Sequence, residues 1–141
     1  MHYDYKAKKI VAVLASDLEI GMALNVIGHL AVSIGAFSQD LMGRSQLLDA
    51  SGFSHLGIAK YPFIITKLKS SKLKILIEQV RNQKNILMAD YPEPVLLTGN
   101  DDELAAAVAA TRHEDMKYLG IVLYGDRELI DNLTGKFTLW R

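Results

Sequence analysis

The chain has 141 residues, half of them hydrophobic, a length and composition typical of one compact domain, which we expect to span residues 1–141. Lysine plus arginine and aspartate plus glutamate both total 16, so net charge gives no reason to expect nucleic acid or an anionic membrane as a partner. The absence of cysteine excludes disulfides, thiolate catalysis and cysteine-type zinc sites, and it is compatible with the cytoplasmic location that we expect.

The N-terminal part of the chain predicts a strand followed directly by a helix. Its first nine residues, "MHYDYKAKK", are polar and charged, and no apolar signal-peptide region follows them, so we expect no secretory signal. Residues 10–15, "IVAVLA", form a continuous apolar run that is typical of a strand buried on both faces. Gly21 then opens a helix, and this order is how an α/β unit begins.

The predicted helix, "IGMALNVIGHLAVSIGAF" (residues 20–37), is almost wholly apolar. Its length approaches the roughly 18 to 20 residues of a membrane span. Asn25 and His29 would then lie near the middle of the bilayer, where polar groups are costly, so we interpret it as a core helix and expect no membrane partner. Asn25, His29 and Ser33 recur every four residues and therefore form one polar stripe.

Glycines in this helix indicate close packing, and its apolar surface indicates a covering layer. Gly28 and Gly35 lie seven residues apart, hence on one side, where missing side chains allow a sheet or another helix to approach. A helix this hydrophobic is not expected to face solvent. We expect its cover to come from residues 37–61 or from a second subunit, and hence a homodimer through the first helix or through that segment.

The rest of the chain alternates strand and helix patterns, with no repeat or linker. Residues 37–61 have a weak pattern that indicates a short helical turn, a loop and a brief extended piece. The later predicted strands cover residues 63–66, 86–91 and 119–124, with an edge strand within 136–140, and the predicted helices begin near residues 70, 100 and 126. This alternation predicts a three-layer α/β domain whose sheet is covered on both faces.

Candidate site residues follow from this architecture. Ligands of α/β proteins prefer the crevice beyond the carboxyl ends of the strands, which points to Asp17, Gly21 and Asp90 and to the first helix with Asn25 and His29. Each polar residue also has an ordinary structural interpretation, since Asp17 can cap a helix and His29 can bond a backbone carbonyl. If the functional interpretation holds, Asp17, Asn25 and Asp90 line one crevice.

Histidines alone would have to support a metal site, because cysteine is absent. His2, His29, His55 and His113 show none of the close spacings typical of metal-binding histidines. We therefore expect no metal site and no cofactor.

Two stretches resemble the peptidyl-tRNA hydrolase II fold, namely "KIVAVLASDLEIGMALNVIGHLAVSIGA" and "LGIVLYGDRELIDNLTGKFTLWR". The second is the more specific, because that family ends in a strand, a Gly-containing turn, an acidic helix closing in Thr-Gly and a short Leu-containing tail. The resemblance is closer still to an uncharacterised bacterial family that shares this fold. It implies an α/β/α sandwich around a mixed, mostly parallel sheet of about four strands.

The resemblance also implies that the family's reaction is lost. Peptidyl-tRNA hydrolases of this type carry an essential lysine early in the first helix and a glutamine shortly before the helical histidine. Counting back from His29, Met22 stands at the lysine position and Val26 at the glutamine position. No lysine occurs between Lys9 and Lys60, so no shifted alignment restores the charge.

Two functional hypotheses follow from these residues. The first is a protein without peptidyl-tRNA hydrolase activity that binds an unidentified small ligand or partner beside the first helix. The alternative is a hydrolase of unknown substrate that uses Asp17, Asn25, His29 or Asp90. Nucleic acid is not favoured as a partner, because the local lysine cluster at residues 67–74 is typical of a solvated face in a neutral protein.

Overall fold

The computed structural model describes residues 3–141 and confirms the expected α/β class, with two short strands and one short helix that the sequence did not clearly predict. Its elements, in chain order, are β1 (Lys8–Ala15), α1 (Ile20–Phe37), β2 (Gln46–Leu48), β3 (Ser54–Leu56), β4 (Phe63–Leu68), α2 (Ser70–Arg81), β5 (Ile86–Pro92), α3 (Pro94–Leu97), α4 (Asp101–Ala109), β6 (Tyr118–Asp126), α5 (Arg127–Thr134) and β7 (Thr138–Leu139). Short 3₁₀ turns lie at Gln39–Leu41 and His113–Asp115.

The main sheet is mixed and has five strands in the order β5-β6-β1-β4-β7. Only β1 and β4 pair in parallel, while the other three neighbouring pairs are antiparallel. The expectation of a mostly parallel sheet of about four strands is therefore wrong in both respects. A buried apolar run looks the same in parallel and antiparallel strands, so the direction of β6 cannot be read from its sequence. The predicted edge strand is present as β7, which pairs with β4.

The segment of uncertain pattern, residues 37–61, forms a 3₁₀ turn and then the hairpin β2–β3. Asp49 organises the hairpin turn, because its Oδ1 accepts hydrogen bonds from the backbone N–H groups of Ser51 and Phe53 at 2.9 and 3.0 Å. Gly52 takes a φ of 87°, a left-handed conformation that favours glycine. The hairpin strands are exposed on all their residues, so the hairpin does not bury its own apolar side chains, whereas Leu41 in the preceding turn is buried.

The core lies on both faces of the main sheet, as the alternation along β1 shows. One set of β1 residues packs with α2 and α5, and the other set packs with α1. The first set is Val11, Val13 and Ala15, and the second is Ile10, Ala12 and Leu14. Gly120 in β6 allows α1 to approach closely, because a Cβ there would lie 2.8 Å from Leu14 Cδ2 and 3.0 Å from Val26 Cγ1.

Helix α1 is half covered, which differs from the expected core helix. Its buried stripe, which faces the sheet, is Ala23, Val26, Leu30 and Ile34. On the outer side Leu24, Val32 and Phe37 are exposed, and nothing lies within 4 Å of where a Cβ would stand on Gly28 or Gly35. The two glycines therefore do not pack within this chain. By length and composition α1 also qualifies as a membrane-crossing helix, although one side of it packs on the sheet.

Candidate functional site

A cavity of about 370 Å³ lies between α1, the end of β5 and the α3–α4 segment, and we call it the α1–α4 cavity. Its apolar part combines side chains from three helices. Polar groups come from both sides of the opening. The polar lining residues are His29, Ser33, Asp90, Tyr91, Thr98, Asn100 and Asp101, and the apolar ones are Leu30, Val95 and Leu104.

Local sequence explains why the chain folds back to form the far wall of this cavity. Pro92 ends β5 and Pro94 starts α3, where a missing N–H does little harm. Asn100 then caps α4, because its Oδ1 accepts from the backbone N–H of Glu103 at 2.9 Å. In return Glu103 Oε2 accepts from the backbone N–H of Gly99 at 2.8 Å, which is a capping-box arrangement.

His29 is the titratable side chain that α1 presents to the cavity. Its Nδ1 lies 2.9 Å from the backbone oxygen of Asn25. Since a carbonyl oxygen can only accept, Nδ1–H is the donor, and the neutral ring keeps a lone pair on Nε2. The ring edge also meets the ring of Tyr91, with centroids 5.6 Å apart at 85°. These two contacts fix the orientation of the His29 ring.

Tyr91 connects the wall of the cavity to α1. Its ring is buried, and its hydroxyl donates to Asn25 Oδ1 at 3.0 Å. Burial raises the pKa of Tyr91, so the phenol stays a neutral donor. Asn25 thus fixes β5 against α1, and its backbone oxygen orients His29 at the same time.

Asp17 and Gly21 lie outside the cavity. Asp17 is exposed, and its Oδ1 is 3.4 Å from the hydroxyl of Ser70, at the start of α2. Gly21 is in the first turn of α1 with nothing within 4 Å of its Cβ position. Asp17 follows β1 but does not cap α1, whose N-cap residue is Glu19.

Asp90 also lines the cavity, but strand alternation directs its side chain toward the other layer. Along β5, Ala89 and Tyr91 pack on the α1 side while Ile86 and Met88 pack on the α2 side, so alternation places Asp90 on the α2 side. Desolvation raises the pKa of this carboxyl, although Asp90 is also accessible to solvent, and the charges of Arg81 and His113 oppose the rise. The structure therefore does not bring Asp17, Asn25 and Asp90 into one crevice.

Near Asp90 lies a hydrogen-bonded chain that sequence reasoning missed. His113 Nε2 is 3.1 Å from Glu78 Oε1, and its Nδ1 is 2.8 Å from the hydroxyl of Tyr118. Because the carboxylate accepts, Nε2 carries the proton and the neutral ring accepts from Tyr118. This chain connects α2, a 3₁₀ turn and β6. No sequence spacing signals it, since Glu78 is 35 residues from His113.

Metal-ligand clusters are absent from the described part of the chain. Within residues 3–141 no group of three or more His, Asp or Glu side chains is arranged to hold an ion. His2, one of the four histidines considered above, lies outside the described residues.

Comparison with solved structures finds proteins of the same fold. The "Protein of Unknown Function Atu0240" from Agrobacterium tumefaciens str. C58 matches with a TM-score of 0.85 and 21% sequence identity, over 96% of this chain and 98% of that chain. At this identity the likeness shows a shared fold alone. Curated proteins gave no match. The family model "Protein of unknown function (DUF2000)" matches residues 8–141, nearly the whole sequence, and the chain therefore belongs to the DUF2000 family.

Proposed function

We propose that this protein binds a small polar molecule in the α1–α4 cavity, on a scaffold like that of peptidyl-tRNA hydrolase II but without its reaction. The observation that carries the proposal is His29, whose Nδ1–H is bound to the Asn25 carbonyl at 2.9 Å, so that Nε2 is free as an acceptor. The cavity beside it has about 370 Å³, a volume suited to a small metabolite.

The lining favours a ligand that donates hydrogen bonds. His29 Nε2 is an acceptor in the neutral ring, and the exposed carboxylate of Asp101 is an acceptor only. The apolar side chains of Leu30, Val95 and Leu104 suit a carbon skeleton. A molecule with hydroxyl or amino groups on a short apolar body therefore fits better than a phosphate or a carboxylate.

The residues at two positions support the proposed loss of the peptidyl-tRNA reaction. The resembled family carries its lysine and its glutamine at these positions. Met22 is half-buried against the core, and Val26 is fully buried on the sheet-facing side of α1. A thioether and an isopropyl group cannot supply charge-assisted hydrogen bonds to a phosphate or an oxyanion. In this chain those positions serve packing.

A hydrolase of unknown substrate remains the second candidate, and the free Nε2 of His29 is what favours it, since such a nitrogen can take a proton from water. Of the four residues considered for that role, Asp17 and Asp90 direct their carboxylates elsewhere, and the Asn25 amide is engaged by Tyr91. This leaves His29 without an acidic partner among them, so binding without turnover is the better-supported function.

Native mass spectrometry of freshly purified protein tests the proposal. We expect wild type to retain a molecule of defined mass, and the variant His29→Ala to lose it. His55→Ala is the matched control, because His55 is an exposed histidine on the β2–β3 hairpin that bonds Asp49. The assignment of the site would be refuted if His29→Ala still retained the molecule. It would also be refuted if His29→Ala and His55→Ala lost the molecule equally.

A further inference from the structure

The free edge of the main sheet is the feature from which the inference starts. Strand β5 pairs with β6 on one side, and no strand within residues 3–141 pairs with its other side. Natural proteins usually protect such an edge with charges, prolines or bulges. Residues 86–89, "ILMA", carry none of these, and the irregularity comes only at Tyr91 and Pro92.

An unpartnered apolar helix face lies beside this edge. Helix α1 packs over β5 and β6, and Ser33 and Phe37 of α1 share a groove of about 480 Å³ with Leu87 and Ala89 of β5. Phe37 is 81% exposed, although it is a large aromatic side chain. The strand edge and the helix face therefore form one continuous surface.

The exposed face of α1 is also uncharged. None of its 18 residues is Asp, Glu, Lys or Arg, and its titratable residue is His29. Leu24 and Val32 are 62% and 74% exposed. Two such faces can meet without like-charge repulsion and without burying an unpaired charge. Gly28, between the two side chains, leaves open space for close approach of another helix.

We propose that this surface is the interface of a homodimer in which the β5 strands of two copies pair antiparallel and their α1 helices pack side by side. A two-fold axis perpendicular to the sheet produces this arrangement, because it reverses the strand direction and keeps both helices on the same face. A partner must offer a strand edge and an apolar helix together, and a second copy offers both in matching positions.

Two other occupants fit the surface less well. A membrane surface would contact the ends of α1, where Asp17, Glu19 and Asp40 place acidic groups that anionic lipids repel. The chain's own hairpin, β2–β3, could join two copies through exposed Leu48 and Leu56, but its strands have only three residues each. The proposed dimer needs no ligand, but its helix face borders His29 and Ser33, which also line the α1–α4 cavity, so the interface and the proposed ligand site are neighbours.

Sedimentation velocity over a wide range of protein concentrations tests the interface. We expect wild type to dimerise, and Val32→Lys and Leu24→Lys each to weaken the dimer by about 100-fold or more, because either variant would bury unpaired lysines against the apolar helix face of the partner. Leu56→Lys is the matched control, since Leu56 is 86% exposed on the hairpin, and it should dimerise like wild type.

Several outcomes would overturn the proposal. The proposal is overturned if the wild-type protein stays monomeric at all concentrations. It is also overturned if a folded α1 variant still dimerises like wild type. Loss of the dimer in Leu56→Lys would instead assign the interface to the hairpin. Monomeric wild type that co-sediments with neutral phosphatidylcholine vesicles would assign the α1 face to a membrane.

Hydrogen exchange separates strand pairing from helix packing alone. Backbone amides of β5 that point away from β6 should become protected as wild type dimerises, and they should stay unprotected in Val32→Lys at the same concentration. Fast exchange of these amides in a wild-type dimer would overturn the strand-pairing part of the proposal.

Discussion

The hydroxyl of Tyr91 donates to Oδ1 of Asn25 at 3.0 Å, and this bond joins the end of β5 to the second turn of α1. The same asparagine accepts the Nδ1–H of His29 on its backbone oxygen at 2.9 Å. One residue therefore holds both the wall of the α1–α4 cavity and the imidazole that lines it. These two bonds explain Asn25 and His29, two of the three residues of the polar stripe on α1.

Tyr91→Phe should weaken the attachment of β5 to α1. The variant keeps the buried ring and loses one hydrogen bond, so we expect the free energy of unfolding to fall by about 1 kcal/mol. Thermal unfolding monitored by circular dichroism measures the change. Tyr5→Phe is the control, because Tyr5 is 55% exposed and should unfold as wild type does. Equal stability of Tyr91→Phe and wild type would show that the bond contributes nothing.

Asp90→Asn should stabilise the protein at pH 7. Burial raises the pKa of Asp90 in the folded state, so the native protein binds more protons than the unfolded chain between the unfolded pKa of about 4 and the raised value. The free energy of unfolding of the wild type therefore falls as pH rises between these two pKa values. The side-chain amide of the Asp90→Asn variant does not titrate, so the variant does not lose this stability. The advantage of Asn should vanish below about pH 4, where both states of the wild type are protonated.

Unfolding in urea at several pH values measures this dependence, with Asp102→Asn on the exposed surface of α4 as the control. If Asp90→Asn is the less stable protein at pH 7, the attraction between Asp90 and Arg81 outweighs the burial of the carboxylate, and the direction of the pKa shift is wrong.

Gly120→Ala should destabilise the protein, because the new Cβ would stand 2.8 Å from Leu14 Cδ2 and 3.3 Å from the backbone oxygen of Val13. Overpacking of this kind typically costs about 1–3 kcal/mol. Gly99→Ala is the matched control, since its Cβ would meet only Glu103 Oε2 at an ordinary 3.6 Å. Equal free energies of unfolding in urea for Gly120→Ala and Gly99→Ala would contradict the close approach of α1 to β6.

Peptidyl-tRNA should not be cleaved above background by the wild-type protein. Removal of one preorganised electrostatic group typically costs about 100- to 1,000-fold in rate. In this chain the apolar residues Met22 and Val26 occupy the positions at which the resembled family carries its lysine and its glutamine. Met22→Lys alone should not restore cleavage, because Val26 still occupies the second position and a site of cooperating groups does not recover piecemeal. An enzyme-like rate with wild type would contradict the loss of the reaction.

Local patterns predicted the elements well, and long-range placement could not be predicted from them. The apolar run at residues 10–15 predicts a strand, and the polar residues near position 100 predict the start of a helix. The structure contains both, as β1 and α4. Strand β5 reads "ILMAD", which has no polar alternation, so the face taken by Asp90 depended on neighbours that the sequence does not identify. The far wall of the cavity likewise comes from α4, more than 70 residues after His29.

A crystal structure of the protein purified without any step that strips ligands tests the central claim most directly. We predict electron density for a small molecule in the α1–α4 cavity, with a hydroxyl or amino group within hydrogen-bonding distance of His29 Nε2. A cavity holding only water, or density for a retained molecule elsewhere on the protein, would contradict it.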